Sequence, residues 1–195
     1  MTRRGELLEF AVLGLLHEHP MHGYELRKRL NSALGAFRAL SYGSLYPCLQ
    51  GLLAKGLVVA GGEPGATPIV GDSPSKRARI VYSLTADGKE TFQELADKAG
   101  PASWDDEVFD VHFAFFARTP AEVRLRILEG RRSRLEEHLA NIQAASARNR
   151  ERMDSYPSAL QRHGEESAQR EVRWLEELIS TERGHTPARP AEQSD

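Results

Sequence analysis

Residues 43–58, GSLYPCLQGLLAKGLV, leave a chain few ways to fold. Leu45, Leu49, Leu52 and Leu53 recur at helical intervals, so the stretch reads as a helix with one apolar face. Pro47 in a helix interior removes a hydrogen bond and crowds the carbonyl four residues back. The helix therefore has to begin near Gly43, where first-turn amides have no intrahelical partner. Gly56 supplies the left-handed residue that closes it, and Leu57–Ala60 then reads as a strand. A short helix pinned at both ends, feeding a strand, fits few architectures.

The flanking segments narrow them further. Upstream, ELLEFAVLGLLHE is a strongly apolar helix over about residues 6–18, stopped by Pro20. HGYELRKRLN follows as an amphipathic second helix, with Tyr24, Leu26, Leu30 and Leu34 at helical intervals and Arg27, Lys28 and Arg29 outward. Downstream, residues 80–84 form a second short strand, separated from the first by a stretch rich in Gly, Pro, Ser and Thr. Thr85 caps a fourth helix with Phe92, Leu95 and Ala99 inward.

Gly100–Pro101 marks a boundary, giving a domain over residues 1–99 and a helical one over 100–183. In the second, Trp104 to Phe116 is a short aromatic helix. Thr119-Pro-Ala-Glu122 opens a long one that runs to about 154, until Tyr156–Pro157 breaks it; a last helix covers about 158–182. Residues 184–195 read as a disordered tail. Leu128, Leu135, Leu139 and Ile142 form one apolar stripe and Val172, Leu175 and Ile179 another. Stripes on helices this long exceed what one small chain can cover, so they are assigned to a homodimer interface. The arginines of the long helix (Arg124, Arg126, Arg131, Arg132, Arg134) read as a solvated face interleaved with Glu. Trp104, Phe109, Phe113 and Trp174 are core aromatics first and a candidate effector pocket second.

The fold class is thus mainly α: an N-terminal winged helix-turn-helix (three helices, a two-stranded wing, a linking helix) and a C-terminal helical dimerisation domain. In a winged helix the third helix enters the major groove of duplex DNA. That gives the odd residues at its start a use. A helix N-terminus attracts phosphate through its free N–H groups, Gly43 allows close approach, and Tyr42, Ser44 and Tyr46 bring hydroxyls. Lys76, Arg77 and Arg79 lie on the returning arm of the wing, where a minor groove or backbone would be met. The first 84 residues carry ten Lys+Arg against six Asp+Glu and the remainder sixteen against twenty-two, which places any anionic partner at the N-terminal part. Tyr24 and Tyr46 are read as DNA contacts first and as half-buried packing aromatics second.

MHGYELRKRL (21–30), GSLYPCLQGLLAKGLV (43–58) and IVYSLTADGKE (80–90) together resemble the signature blocks of PadR-type transcriptional regulators, in the same order. The resemblance covers most of residues 6–96, and the helical C-terminal part is similar in pattern only. It implies a dimeric regulator, usually a repressor, on a near-palindromic operator in double-stranded DNA, released by a small and often aromatic effector. By motif, Tyr24 falls on the second helix, Ser44, Tyr46 and Pro47 on the recognition helix, and Lys76 and Arg77 in the wing. The chain departs from the pattern at Gln50–Gly51, where the family usually carries basic residues, and in a longer wing.

Other chemistries find little footing. His17, His19 and His22 straddle a helix end without HExxH spacing, so no metal is expected; Ser73-Pro-Ser-Lys76 lies in a Gly/Pro loop rather than at a helix start; and the glycines of residues 61–71 lack the Lys-Ser/Thr of a phosphate loop. No cofactor and no enzymatic activity are expected. Cys48 is the sole cysteine, which excludes an intrachain disulfide and fits a reducing cytoplasm, and no apolar run reaches membrane-spanning length. The alternative function is a winged-helix effector-binding or protein-interaction module that does not bind DNA.

Overall fold

The computed structural model of the chain describes residues 3–33, 42–61, 80–149 and 155–185. It divides into two units: Met1–Lys98 with Asp106–Thr119, and Ala99–Asp105 with Pro120–Asp195.

The first unit is organised around α1 (Arg3–Glu18). Leu7, Leu8, Phe10, Ala11, Val12, Leu13, Leu15 and Leu16 are all buried, so this helix is apolar nearly all round and is the hub of the core. Against it pack α2 (Gly23–Ala33), α3 (Tyr42–Ala54), α4 (Ala86–Ala96) and α5 (Asp106–Ala114). Two strands follow the sequence reading closely, β2 (Val58–Gly61) and β3 (Val81–Leu84), paired antiparallel with Val58 opposite Leu84. A further strand was not anticipated: β1 (Met21–His22) pairs with the other side of β3, giving the order β1-β3-β2. Pro20 ends α1, the next two residues run extended, and the His22 ring Nδ1 lies 3.2 Å from the Ile80 carbonyl, which fixes the proton on that nitrogen.

The ends of these elements follow from local chemistry. Gly56 has φ +70°, its N–H donates to Leu53 and the Leu57 N–H donates to Leu52, which closes α3 with a left-handed turn. Thr85 accepts from the Gly88 N–H at 3.0 Å and starts α4. Gly88 is needed there, because a Cβ would collide with the Leu57 carbonyl.

The boundary expected at Gly100–Pro101 proves to bracket a short excursion. Residues 106–119 return to the first unit because Val108, Val111 and Phe115 belong to its core. The Phe115 ring occupies the space a side chain on Gly14 would need. Instead of one aromatic helix over 104–116, the chain makes a 3-10 turn (Pro101–Trp104), then α5, then a second 3-10 turn (Phe116–Arg118).

The second unit is a hairpin of α6 (Ala121–Asn149) and α7 (Ser155–His185). Arg124 pairs with Glu182 and Arg131 with Glu171, while Gln161 donates to the Ile142 carbonyl, so the helices run antiparallel. Pro157 does not lie between two helices as expected; it sits in the first turn of α7, where a missing amide costs nothing. No helix among the described residues is long and apolar enough to cross a membrane.

Candidate nucleic-acid interface

Helix α3 turns Leu45, Leu49 and Leu52 into the core and leaves Pro47, Gln50 and Ala54 exposed, with Ser44 and Gly51 half-exposed between them. This outward stripe at i, i+3 and i+7 is the surface a recognition helix presents. Tyr42 and Gly43 form the backbone of its first turn. Because the helix starts at Tyr42, Pro47 is its sixth residue and not part of that first turn. Having no N–H, Pro47 leaves the Gly43 carbonyl without its usual helical donor.

Tyr46 packs against the core and its hydroxyl sits 3.4 Å from the point a Cβ on Gly23 would occupy, beside Tyr82. Its ring therefore locks α3 to the start of α2 and to β3. Tyr24 behaves differently: it is 64% exposed on α2. On the same helix Lys28 is exposed, whereas Arg29 is held by Glu25 at 3.1 Å and Glu18 at 3.2 Å. Behind α3, Lys55 grips Glu9 of α1 at 2.7 Å. Cys48, half-buried between these elements, has its thiol pushed up to about 12 by burial and by Glu9, so it stays protonated and unreactive. Val59 projects from β2 into solvent. Lys76, Arg77 and Arg79 lie outside the described residues.

The three histidines near Pro20 have separate surroundings. His17 meets Arg118 at 3.3 Å, and burial together with that guanidinium lowers its pKa; His19 lies 3.6 Å from Glu25; His22 faces Ile80. No group of three metal-type side chains occurs among the described residues.

In the second unit the residues expected at a dimer interface divide. Leu128, Leu139, Leu175 and Ile179 are buried within the chain, since α6 and α7 cover each other. Leu135, Ile142 and Val172 remain half-exposed, and Val172 borders an open groove of about 330 Å³ with Leu139, Ala140 and Gln143. On α7, Tyr156 and Leu160 are 87% and 73% exposed. The arginines of α6 are not a uniformly solvated face. Arg131 is only 6% exposed, donates to Glu171 at 2.7 Å and reaches the Trp104 carbonyl at 3.0 Å. Arg124 holds Glu182 through two bonds of 2.9 and 2.6 Å. The seven-residue interval between these arginines puts both on the side of α6 that meets α7, a signal available in the sequence once the helices are paired.

The aromatic residues named as a candidate effector pocket fall into separate places. Phe109 stacks on Phe113 at 5.7 Å and both meet Phe116 in the first unit. Trp104 belongs to the second, where its indole packs against Gly130, at a position no other residue could occupy without displacing the ring. It lines an open groove of about 560 Å³ with Arg126, Ser133 and Arg134; Trp174, on α7, is not part of that lining.

Residues 12–94 match the family described as transcriptional regulator PadR-like. The chain is also similar to the negative transcriptional regulator PadR of Bacillus subtilis (strain 168), 32% identical over 91 residues. That match takes in 47% of this chain and 44% of the relative, so it spans less than half of that protein's length. Among solved structures, B. subtilis PadR in complex with operator DNA is similar at 19% identity over 90% of this chain and 98% of that one, with a TM-score of 0.40. The PadR-like transcriptional regulator BC1756 from Bacillus cereus is similar at 17% identity over 92% and 99%, with a TM-score of 0.39. Residues 12–94, which carry α2, α3, both hairpin strands and nearly all of α4, are thus the part of the chain that is similar to the PadR-like family of transcriptional regulators.

Proposed function

We propose that this chain is a sequence-specific, double-stranded-DNA-binding transcriptional regulator acting as a homodimer in the cytoplasm, and that it represses. The observation that carries the reading is the outward stripe of α3, backed by the β2–β3 hairpin, within the stretch that matches the PadR-like family. The name of the B. subtilis relative, a negative regulator, favours repression over activation. Ser44 and the first-turn backbone of α3 would meet phosphate and base edges, Tyr24 would reach the backbone from α2, and Tyr46 would hold α3 in position. Lys76, Arg77 and Arg79 would supply wing cations. Residues 1–98 with 106–119 form the DNA-binding part.

The helical hairpin forms the dimerisation part. Leu135, Ile142 and Val172, with exposed Tyr156 and Leu160, offer apolar surface that a second copy would cover. Release by a small effector is added by the family resemblance.

Titration of the full-length protein against palindromic duplexes from its own promoter region, at increasing salt, tests the reading. Each phosphate contact neutralised by Lys or Arg makes the slope of log affinity against log salt more negative by about 0.9, so a fall of several units, with preference over a scrambled duplex, is expected. A flat salt response with no preference would leave the chain as an interaction module that does not bind DNA.

A further inference from the structure

The outward stripe of α3 has an unusual chemical inventory. Pro47, Gly51 and Ala54 carry no side-chain hydrogen-bonding group, and no Lys or Arg lies between Ser44 and Ala54. Gln50 is the one exposed residue of the stripe with a long side chain, and its planar amide presents a donor and an acceptor side by side. The surface around it is low: a Cβ built on Gly51 meets nothing within 4 Å, and Pro47 and Ala54 are short. A groove floor can approach such a stripe closely, and only Gln50 projects from it.

Resting on the DNA-binding reading above, we propose that Gln50 is a specificity-determining residue of this recognition helix and that it reads one adenine in each half-site through the major groove. The amide NH2 donates to adenine N7 while Oε1 accepts from the N6 amino group, a pairing that satisfies both ends of the side chain at once. Guanine offers two acceptors in the same places, N7 and O6, so Oε1 would face an acceptor and stay unpaired. A phosphate gives this neutral amide less, since phosphate contacts draw their strength from cations. Affinity then comes from the other contacts of the unit, and discrimination at this one base pair from the Gln50 side chain.

The test begins with duplexes selected from a randomised pool by the full-length wild-type protein. Each base pair of the selected site is then replaced symmetrically in both halves, and affinities are measured for wild type, Gln50→Ala and Gln50→Glu. For wild type, replacing one A·T pair by G·C should weaken binding by roughly 5- to 140-fold, the range a good bidentate base contact provides. Gln50→Ala should bind both versions of that pair alike while keeping the wild-type preferences elsewhere. Gln50→Glu, which only accepts, should shift the preference at that pair toward a cytosine amino group. Placing 7-deazaadenine at the same pair should weaken wild type and leave Gln50→Ala unaffected. Since Gln50 is exposed, both variants should melt as wild type does.

If both variants keep the wild-type profile at every pair, or lose affinity equally for selected and scrambled duplexes, Gln50 is no base reader, although DNA binding stands. If wild type binds no duplex in a salt-dependent way, the DNA-binding reading falls and takes this one with it.

Discussion

The two units of this chain solve the same problem, covering apolar surface, by different means. In the first, α1 is enclosed by four helices and a sheet, and rings interlock: Phe92 lies 5.6 Å from both Phe10 and Phe115. Charged pairs such as Lys55–Glu9 stay at the edge. In the second, two long helices share a single seam. A two-helix hairpin has no third side with which to close a core, so charged residues with long stems help seal it: Arg131 is buried there and Arg124 half-buried. Apolar residues beyond the seam, Tyr156 and Leu160, stay in solvent. Enclosure makes a rigid frame for α3, whereas a single seam leaves surface for another molecule.

The sharpest way to break the comparison is to hollow out the first unit. Phe92→Ala removes a fully buried ring from the aromatic cluster and should cost about 3–5 kcal/mol in chemical denaturation. A loss under about 1 kcal/mol would mean that the core is no tighter than the hairpin seam. Next, Arg131→Met strands Glu171 and frees the Trp104 carbonyl. Breaking a buried pair costs about 3–5 kcal/mol, and since Glu171 keeps 32% of its side-chain surface in water, about 2–3 kcal/mol is expected here. Replacing Arg131 and Glu171 together by Met and Leu should restore much of that loss, as a dry seam would.

Acid gives the smallest and most selective probe. His112 is buried in the first unit beside Phe10, and its Nδ1 has no hydrogen-bond partner among the described residues. Burial lowers its pKa from 6.5 to about 4. The unfolded chain therefore binds the proton more readily, so the contribution is full above pH 6.5 and shrinks as pH falls toward 4. Stability should drop by on the order of 2 kcal/mol by about pH 5, and His112→Leu should flatten that part of the pH profile. An unchanged slope in the variant would move the acid sensitivity to another group.

Signals confined to a few neighbouring residues were legible before any coordinates. Thr85 caps α4, Gly56 ends α3 and the leucines of α3 face inward, because a cap, a left-handed turn and a helical period are each written locally. Features that depend on a distant partner were not. Two residues, Met21 and His22, form a strand only because β3 lies beside them. The arginines of α6 looked solvated because Glu171 and Glu182 are far along the chain and enter only with the hairpin register. The same limit affects the interface. Tyr24 is exposed on α2, while Tyr46 braces α3 against Gly23, a role set by α2 and β3 rather than by its own helix.

The chain passes from the first unit to the second at residue 99, returns at 106 and leaves again at 120. A protein threaded in this way cannot be recombined at one junction. A fragment ending at Lys98 would lose Val108, Val111 and Phe115, uncovering the flank of α1 that includes Phe10 and Gly14 and leaving a greasy, aggregation-prone scar. Whoever grafts this first unit onto another partner has to carry α5 along with it.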